Sequence, residues 1–289
     1  MRIHELVSLG GLRAACGDDD LVMWNAQDLG LPRLPPGFPP RPGPARAWAA
    51  GGAVVAAAPM VSRRDRLAVW GEAADAADLV RHALAELGPS YRPWGERELM
   101  AQLTAKVDGL EVAGAFSWMT LPTGTDPLAA LPGPARARDM SARDMSAGEV
   151  DAGPARAGGV AAGEVGWLRA ADAGEVAALL AADAPDSYAR PADPGVRRWA
   201  GLRVDGVLAS VAADAWPSPS AGLLAGVATR AAFRGRGLAE RVCRWVSAEL
   251  VASYGRAALM VDDDNAAAIA VYRRIGYRLR PVLVSSANP

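Results

Sequence analysis

The chain has 289 residues, long enough for two domains at about 100–200 residues each, and its 31 Lys plus Arg against 32 Asp plus Glu leave a net charge of -1. That balance excludes the basic surplus that nucleic acid or an acidic membrane surface would call for. Two cysteines, Cys16 and Cys243, and two histidines, His4 and His82, exclude a disulfide framework, a zinc site of ordinary spacing and a Ser-His-Asp triad, so no metal is expected and a cytoplasmic setting fits.

At the N-terminus, Leu12 to Cys16 has the outline of a lipoprotein cleavage site, but the run before it is broken by His4 and Glu5, and lipidation is not expected. The apolar stretch Ala49 to Met60 is shorter than the roughly 20 residues needed to span a bilayer. Pro32 to Pro44 reads as a loop. Trp48 to Val61 and Arg66 to Gly71 read as strands around the polar turn Ser62 to Asp65. Asp75 to Leu87 reads as a helix, with Leu79, Val80, Ala83, Leu84 and Leu87 at helical spacing. A short helix over Leu99 to Val107 and a strand or hairpin over Leu110 to Leu121 complete this part. The near-even spacing of Trp24, Trp48, Trp70, Trp94 and Trp118 reads as chance, because their neighbours differ.

Between Thr123 and Gly163 the sequence is rich in Gly, Pro, Ala and Ser. Arg138 to Ala142 is repeated at once as Arg143 to Ala147, and Gly133 to Ala137 recurs as Gly153 to Ala157. Such a tract has too little apolar surface to offset its ordering entropy and reads as a linker. The organisation expected is an α/β domain over residues 1–123, a linker over 124–160 and a second α/β domain over 161–289.

The second domain is the more legible. Val165 to Arg169 reads as a strand, and Asp172 as the cap of a helix carrying Val176, Leu179 and Leu180. Trp199 to Val204 and Val207 to Ala213 form a hairpin about Asp205-Gly206. After a loop over Trp216 to Gly222 come a strand Leu223 to Thr229, a Gly-rich turn, a helix Leu238 to Tyr254, a strand Ala257 to Val261, a helix Asn265 to Ile275 and a strand Tyr277 to Val284.

The turn, Arg234-Gly235-Arg236-Gly237-Leu238-Ala239, has the makings of a phosphate cradle. Its glycines permit close backbone approach, the following helix aims N–H groups and its dipole at an anion, and arginines add charge-assisted bonds. It lacks the third glycine of a dinucleotide fingerprint and the Lys-Ser/Thr of a P-loop. About 30 residues on, Asn265, Ala268, Tyr272, Gly276 and Tyr277 form a second patterned element.

Together the two motifs resemble those of the GNAT superfamily of N-acetyltransferases. Thr229 to Ala239 is similar to the family's R/Q-x-x-G-x-G/A signature, with Arg234, Gly237 and Ala239 at its defining positions. Asn265 to Tyr277 is similar to its N-x-x-A-x-x-x-Y-x-x-x-G-F/Y element. The resemblance spans roughly the last 125 residues. It implies a mixed central sheet in which the strand ending at Thr229 splays from the strand Ala257 to Val261, with acetyl-CoA as cosubstrate. Pantetheine would pair with the backbone of Gly226, Val227, Ala228 and Thr229 as an added strand does. The pyrophosphate would rest on Arg234, Gly235, Arg236, Gly237, Leu238 and Ala239, with Arg230 or Arg236 toward the 3'-phosphate and Asn265 at the ligand-binding end of its helix.

Backbone N–H near Val227 or Ala228 would polarise the thioester carbonyl. Tyr272 stands where the family's general acid commonly lies; a core tyrosine is the alternative. Asp214 is the candidate base, with a solvated strand-end carboxylate as its equal rival and a water chain ending at backbone as a further route. A related two-domain subgroup, resembling glycine N-acyltransferases, often carries Glu at that place and a second Glu where this chain has Leu223. That subgroup also suggests a degenerate copy of the fold in the first domain, covering the acceptor pocket or forming a homodimer surface. Asp186 to Arg190 falls in the segment that borders the acceptor site in the superfamily; a role in substrate binding and a plain loop are its two readings, the plain loop being the first expectation. The activity expected is acetyl transfer to the primary amine of a small molecule. A non-catalytic acyl-CoA sensor and acetylation of a protein N-terminus or lysine stay open beside it.

Overall fold

The computed structural model describes residues 2–31, 43–128 and 163–287. Most of the expected linker, with both of its repeats, lies outside these residues, as does most of the Pro-rich stretch after Leu31. Before that stretch come β1 (His4–Leu6), α1 (Leu9–Ala15) and α2 (Asp20–Asn25), none of them expected from the sequence. Ser8 and Asp19 cap the two helices, accepting from the N–H groups of Gly11 and Val22. The expected strand Trp48 to Val61 is instead a hairpin, β2 (Arg46–Ala50) and β3 (Ala53–Val61), turning at Gly51-Gly52. β4 (Arg64–Gly71) and α3 (Ala73–Leu87) follow. A further strand that the sequence did not disclose, β5 (Arg92–Glu96), leads into α4 (Arg97–Thr104) and β6 (Leu110–Thr120).

The later half begins with β7 (Gly166–Trp167), a 3-10 turn (Ala170–Asp172) and α5 (Ala173–Asp183). β8 (Val196–Val204) and β9 (Val207–Ser218) form the expected Asp-Gly hairpin, with Asp205 and Gly206 both at positive φ. The loop expected over Trp216 to Gly222 is mostly strand, since β9 continues to Ser218 and β10 (Ala221–Thr229) starts three residues later. α6 (Leu238–Tyr254), β11 (Ala257–Val261), α7 (Ala266–Ile275) and β12 (Arg278–Ala287) complete the described chain.

The twelve strands among the described residues share one sheet, in the order β1-β2-β3-β4-β5-β12-β6-β11-β10-β9-β8-β7. The order is palindromic. Each half runs through five strands with a parallel pair between its fourth and fifth, β4 with β5 and β10 with β11. Each then places its sixth strand inside the other half: β12 lies between β5 and β6, and β6 between β12 and β11. The first half therefore repeats the fold of the second, and the halves exchange their last strands. The division at residues 124–160 separates them in sequence but not in the sheet.

One face of the sheet packs against α3 and α4 in the first half, around Leu79, Val80, Met100 and Leu103. In the second half it packs against α6 and α7, around Val242, Val246, Leu250 and Ile269. The opposite face has a single core shared by both halves. α2 lies at its centre and touches β3 and β4 as well as β9 and β10, so the sheet bends around it. Trp24 of α2 donates to the Trp216 carbonyl at 2.9 Å and packs on Trp94 and Trp118. Those rings also pack on each other, so the evenly spaced tryptophans have structural meaning at three of five positions. Arg256 pairs with Asp18 and Arg280 with Asp19 and Asp20, tying the first helices to the second half.

Candidate active site

The site grows out of an irregularity in β10. Its pairing with β11 runs from Gly222↔Ala257 to Leu224↔Leu259 and stops there, whereas β10 stays on β9 as far as Thr229↔Ser210. The strands thus part after Leu224, and the backbone edge of Ala225 to Thr229 faces an opening. Between Ala225 and Ala228 the register on β9 slips, which is a β-bulge. Gly226 takes φ +61° there, and a Cβ at that position would lie 2.4 Å from the Trp199 ring. Glycine is required on both counts. Bulges re-aim backbone groups, and this one lies at Gly226-Val227, next to the Val227 and Ala228 N–H groups near which the resemblance implies the thioester's donors. A glycine inside the apolar run Leu223 to Thr229 was the available signal for it.

Beyond Thr229 the chain makes a short 3-10 turn and enters the glycine loop. Gly235 and Gly237 stand at φ +76° and +71°. Gly237 is the N-cap of α6, and no side chain caps that end. The loop residues Arg234 to Gly237 are exposed, so the first-turn N–H groups of α6 are open to an anion. Leu238 is buried beneath the loop and anchors it to the core. The arginines divide their work. Arg234 donates from Nε to the Thr229 carbonyl at 3.1 Å and from a terminal nitrogen to the Asp183 carbonyl at 2.8 Å, which holds the loop in shape. Arg230 donates to the Leu208 carbonyl at 2.8 Å. Arg236 is exposed over the Phe233 ring, which leaves its charge facing the solvent side of the cradle. An uncapped helix end, two left-handed glycines and a strand edge without a partner fit the pyrophosphate and pantetheine of a CoA thioester.

Asn265 caps α7, its side-chain oxygen accepting from the Ala268 N–H at 3.1 Å. One helical stretch later Tyr272 is buried beside Tyr277, with ring centroids 6.0 Å apart. Burial pushes its phenol well above the ordinary value, with the Cys243 thiol adding to the shift, so the proton is retained at neutral pH. Burial likewise pushes the Cys243 thiol up to about 12.

Asp214 is fully buried on β9, opposite Leu224. Its Oδ2 accepts from Arg198 Nε at 3.1 Å and from the Tyr254 hydroxyl at 2.9 Å, while Oδ1 has no hydrogen-bond partner. Burial raises its carboxyl above the ordinary range, although Tyr254, Arg198 and Arg197, whose guanidinium lies 3.8 Å from Oδ2, pull the other way. Tyr272 sits beside Tyr277, whose hydroxyl bonds Ser247 on α6, whereas Asp214 meets Tyr254, seven residues and about 10 Å further along the axis of that helix. The two catalytic candidates thus connect to different turns of α6. Asp214 belongs to a cluster under the end of α6, where Arg198 also stacks 3.7 Å over Trp167.

Comparison with known proteins bears on this geometry. Residues 201–284 match the FR47-like protein family. Among solved structures, the chain is similar to the GCN5-related N-acetyltransferase of Sphaerobacter thermophilus, at 14% identity over 98% of this chain and 94% of that one, with a TM-score of 0.51. It is similar also to a GCN5-related N-acetyltransferase from Kribbella flavida, at 18% identity over 83% and 88% of the two chains, with a TM-score of 0.51. The fold is the GNAT fold. No curated protein sequence matches the chain. The first likeness runs through nearly the whole chain, so the GNAT fold takes in the first half as well as the second. Among the described residues of this GNAT-fold chain, only the second half carries the open strand edge and the glycine loop. In the first half, a single residue, Glu72, separates β4 from α3. Asp75, in the first turn of α3, accepts from the Gly52 N–H at 2.8 Å. The matching connection in the second half, between β10 and α6, has eight residues, 230–237.

Proposed function

We propose that this protein transfers the acetyl group of acetyl-CoA to the primary amine of a small molecule. The observation that carries the proposal is the conjunction of a parted strand edge with a bulge at Gly226 and an uncapped glycine loop at the start of α6. A CoA thioester needs both: the strand edge takes pantetheine amides and the helix end takes pyrophosphate. Arg234 shapes the loop, and the exposed Arg236, whose guanidinium makes a long 3.4 Å bond to the Ala232 carbonyl, is the one placed to meet phosphate.

The amine nitrogen forms a bond to the thioester carbon as the carbon–sulfur bond breaks. Backbone N–H groups at Val227 and Ala228 receive the carbonyl oxygen's growing charge. Tyr272, protonated through the neutral range, gives its proton to the departing thiolate. The amine's proton leaves through water in the opening, since both partners of Asp214 Oδ2 lie on the α6 side. Incubating the protein with acetyl-CoA and a library of primary amines, with free CoA and products followed together, tests the proposal. Binding of acetyl-CoA with no release of CoA for any amine would favour a sensor instead.

No helix among the described residues is long and apolar enough to cross a membrane, and no group of three or more metal-ligating side chains occurs among them.

A further inference from the structure

A cleft of about 380 Å³ lies where the first half's β3–β4 turn meets the loop between α5 and β8, lined by Arg63, Arg64, Asp186, Ser187, Tyr188 and Arg190, with Pro185 at its edge. Its walls come from both halves and are fastened to each other. The Tyr188 hydroxyl donates to the Ser62 carbonyl. Arg63 donates to the Tyr188 carbonyl at 3.2 Å and lies over that ring, 5.4 Å from its centroid. One wall of the cleft also reaches toward β10. Ala189, between Tyr188 and Arg190, is buried 3.3 Å from where a Cβ of Gly226 would stand, so the loop that walls the cleft touches the bulge.

The charges in the cleft are unbalanced. Three guanidiniums face one carboxylate, Asp186. Arg63 approaches Asp193 at 3.9 Å. Among the described residues, Arg64 and Arg190 form no ion pair, and Asp186 pairs with neither; Arg190 is held by the Pro185 carbonyl. Two unpaired guanidiniums in one cleft repel each other, and a carboxylate or phosphate between them removes that cost while accepting their paired N–H groups.

We infer that the acceptor is an amine carrying a compact anionic group, a carboxylate or a phosphate, which Arg64 and Arg190 hold while its amine reaches the bulge at Gly226. This rests on the transferase reading for the meaning of "acceptor", but the cleft's selectivity can be measured without turnover. It also gives the first half a task, since Arg64 opens its strand β4.

The test titrates matched amines into the protein saturated with CoA: β-alanine against its methyl ester, and phosphoethanolamine against ethanolamine. The anionic member of at least one pair should bind ten-fold or more tightly than its neutral counterpart, and which pair responds tells carboxylate from phosphate. The Arg64→Ala/Arg190→Ala variant should lose that preference while keeping its melting temperature and its affinity for acetyl-CoA, because both side chains are exposed and neither touches the glycine loop. Arg64→Lys should retain part of the preference. Equal binding within both pairs, no binding at all, or a preference that survives the double substitution would overturn the inference. If the anionic amines bind selectively but none is acetylated, the cleft stands and the transferase reading falls.

Discussion

Gly237 stands at φ +71° with nothing within 4 Å of a Cβ placed there, so a side chain would be resisted by the backbone and not by the folded protein's packing. The space it would fill is the cradle itself. Gly237→Val is therefore expected to lower the melting temperature by several degrees, the cost of a β-branched residue at positive φ, and to weaken acetyl-CoA binding to the folded protein by about ten-fold or more, read by calorimetry. Tyr272→Phe removes one hydroxyl from a buried ring. Single-turnover acetylation should slow by about 10²–10⁴ with acetyl-CoA affinity retained; an unchanged rate would make Tyr272 a packing residue only. Asp214 separates stability from catalysis. Asp214→Ala would strand Arg198 and Tyr254 and should cost about 1–3 kcal/mol in urea unfolding, with the rate constant of the folded fraction within a few-fold of the parent. A base in the reaction would show the reverse balance. The pH dependence follows from its raised carboxyl. The stability this shift contributes is fully present below the unfolded value of 3.8 and is lost as pH rises through the folded value. The parent should thus lose stability relative to Asp214→Ala as pH climbs across that window.

Between β4 and α3 the connection is one residue, and Asp75 already occupies the helix end, whereas β10 and α6 are joined by the glycine loop. The first half has no room for pyrophosphate and a carboxylate where it would sit. Titration of the whole chain with acetyl-CoA should accordingly give a stoichiometry near one; a value near two would mean that the first half binds as well. The same contrast shows what was legible in the sequence. α6 could be read from Leu238, Val242, Val246 and Leu250 at helical spacing, and the glycine loop before it from residue types alone, because both are local. β5 escaped because Pro93 and Gly95 are poor strand formers, and its place is decided by pairing with β12, nearly 190 residues away. α2 escaped because six residues carry little periodicity, and its burial depends on strands from both halves. At the site, the cradle and Tyr272 were visible as motifs. The cluster around Asp214 and the arginine cleft were not, since each needs residues far apart in the chain, and the bulge had only Gly226 as its signal.

Across the molecule, the exchanged strands make the halves inseparable. β12 pairs with β5 from Val282↔Glu96 to Val284↔Trp94 and with β6 along nearly its whole length. α2 adds a core shared by both halves. Unfolding in urea should therefore show one transition, with fluorescence of the Trp24, Trp94 and Trp118 cluster and far-UV circular dichroism changing together. Ending the chain at Gly276 is expected to expose amides of residues 92–96 to hydrogen exchange, although nothing in the first half's own sequence has been altered. Protection retained at those residues would show that β5 is held without β12. The sheet is also defended at its margins, because the edge strands β1 and β7 have only three and two residues and offer little to pair with another chain.

The exchanged strand sets an order of events during synthesis. β5 and β6 leave the ribosome early, but the strand that belongs between them begins at Arg278. At about 5–20 residues per second, the first half waits roughly ten seconds or longer with two strand edges unsatisfied. In that interval the nascent chain is open to pairing with a neighbour on the same message. A homologous strand from another copy, or a chaperone that covers strand edges, would find its target in the first half before the second half exists.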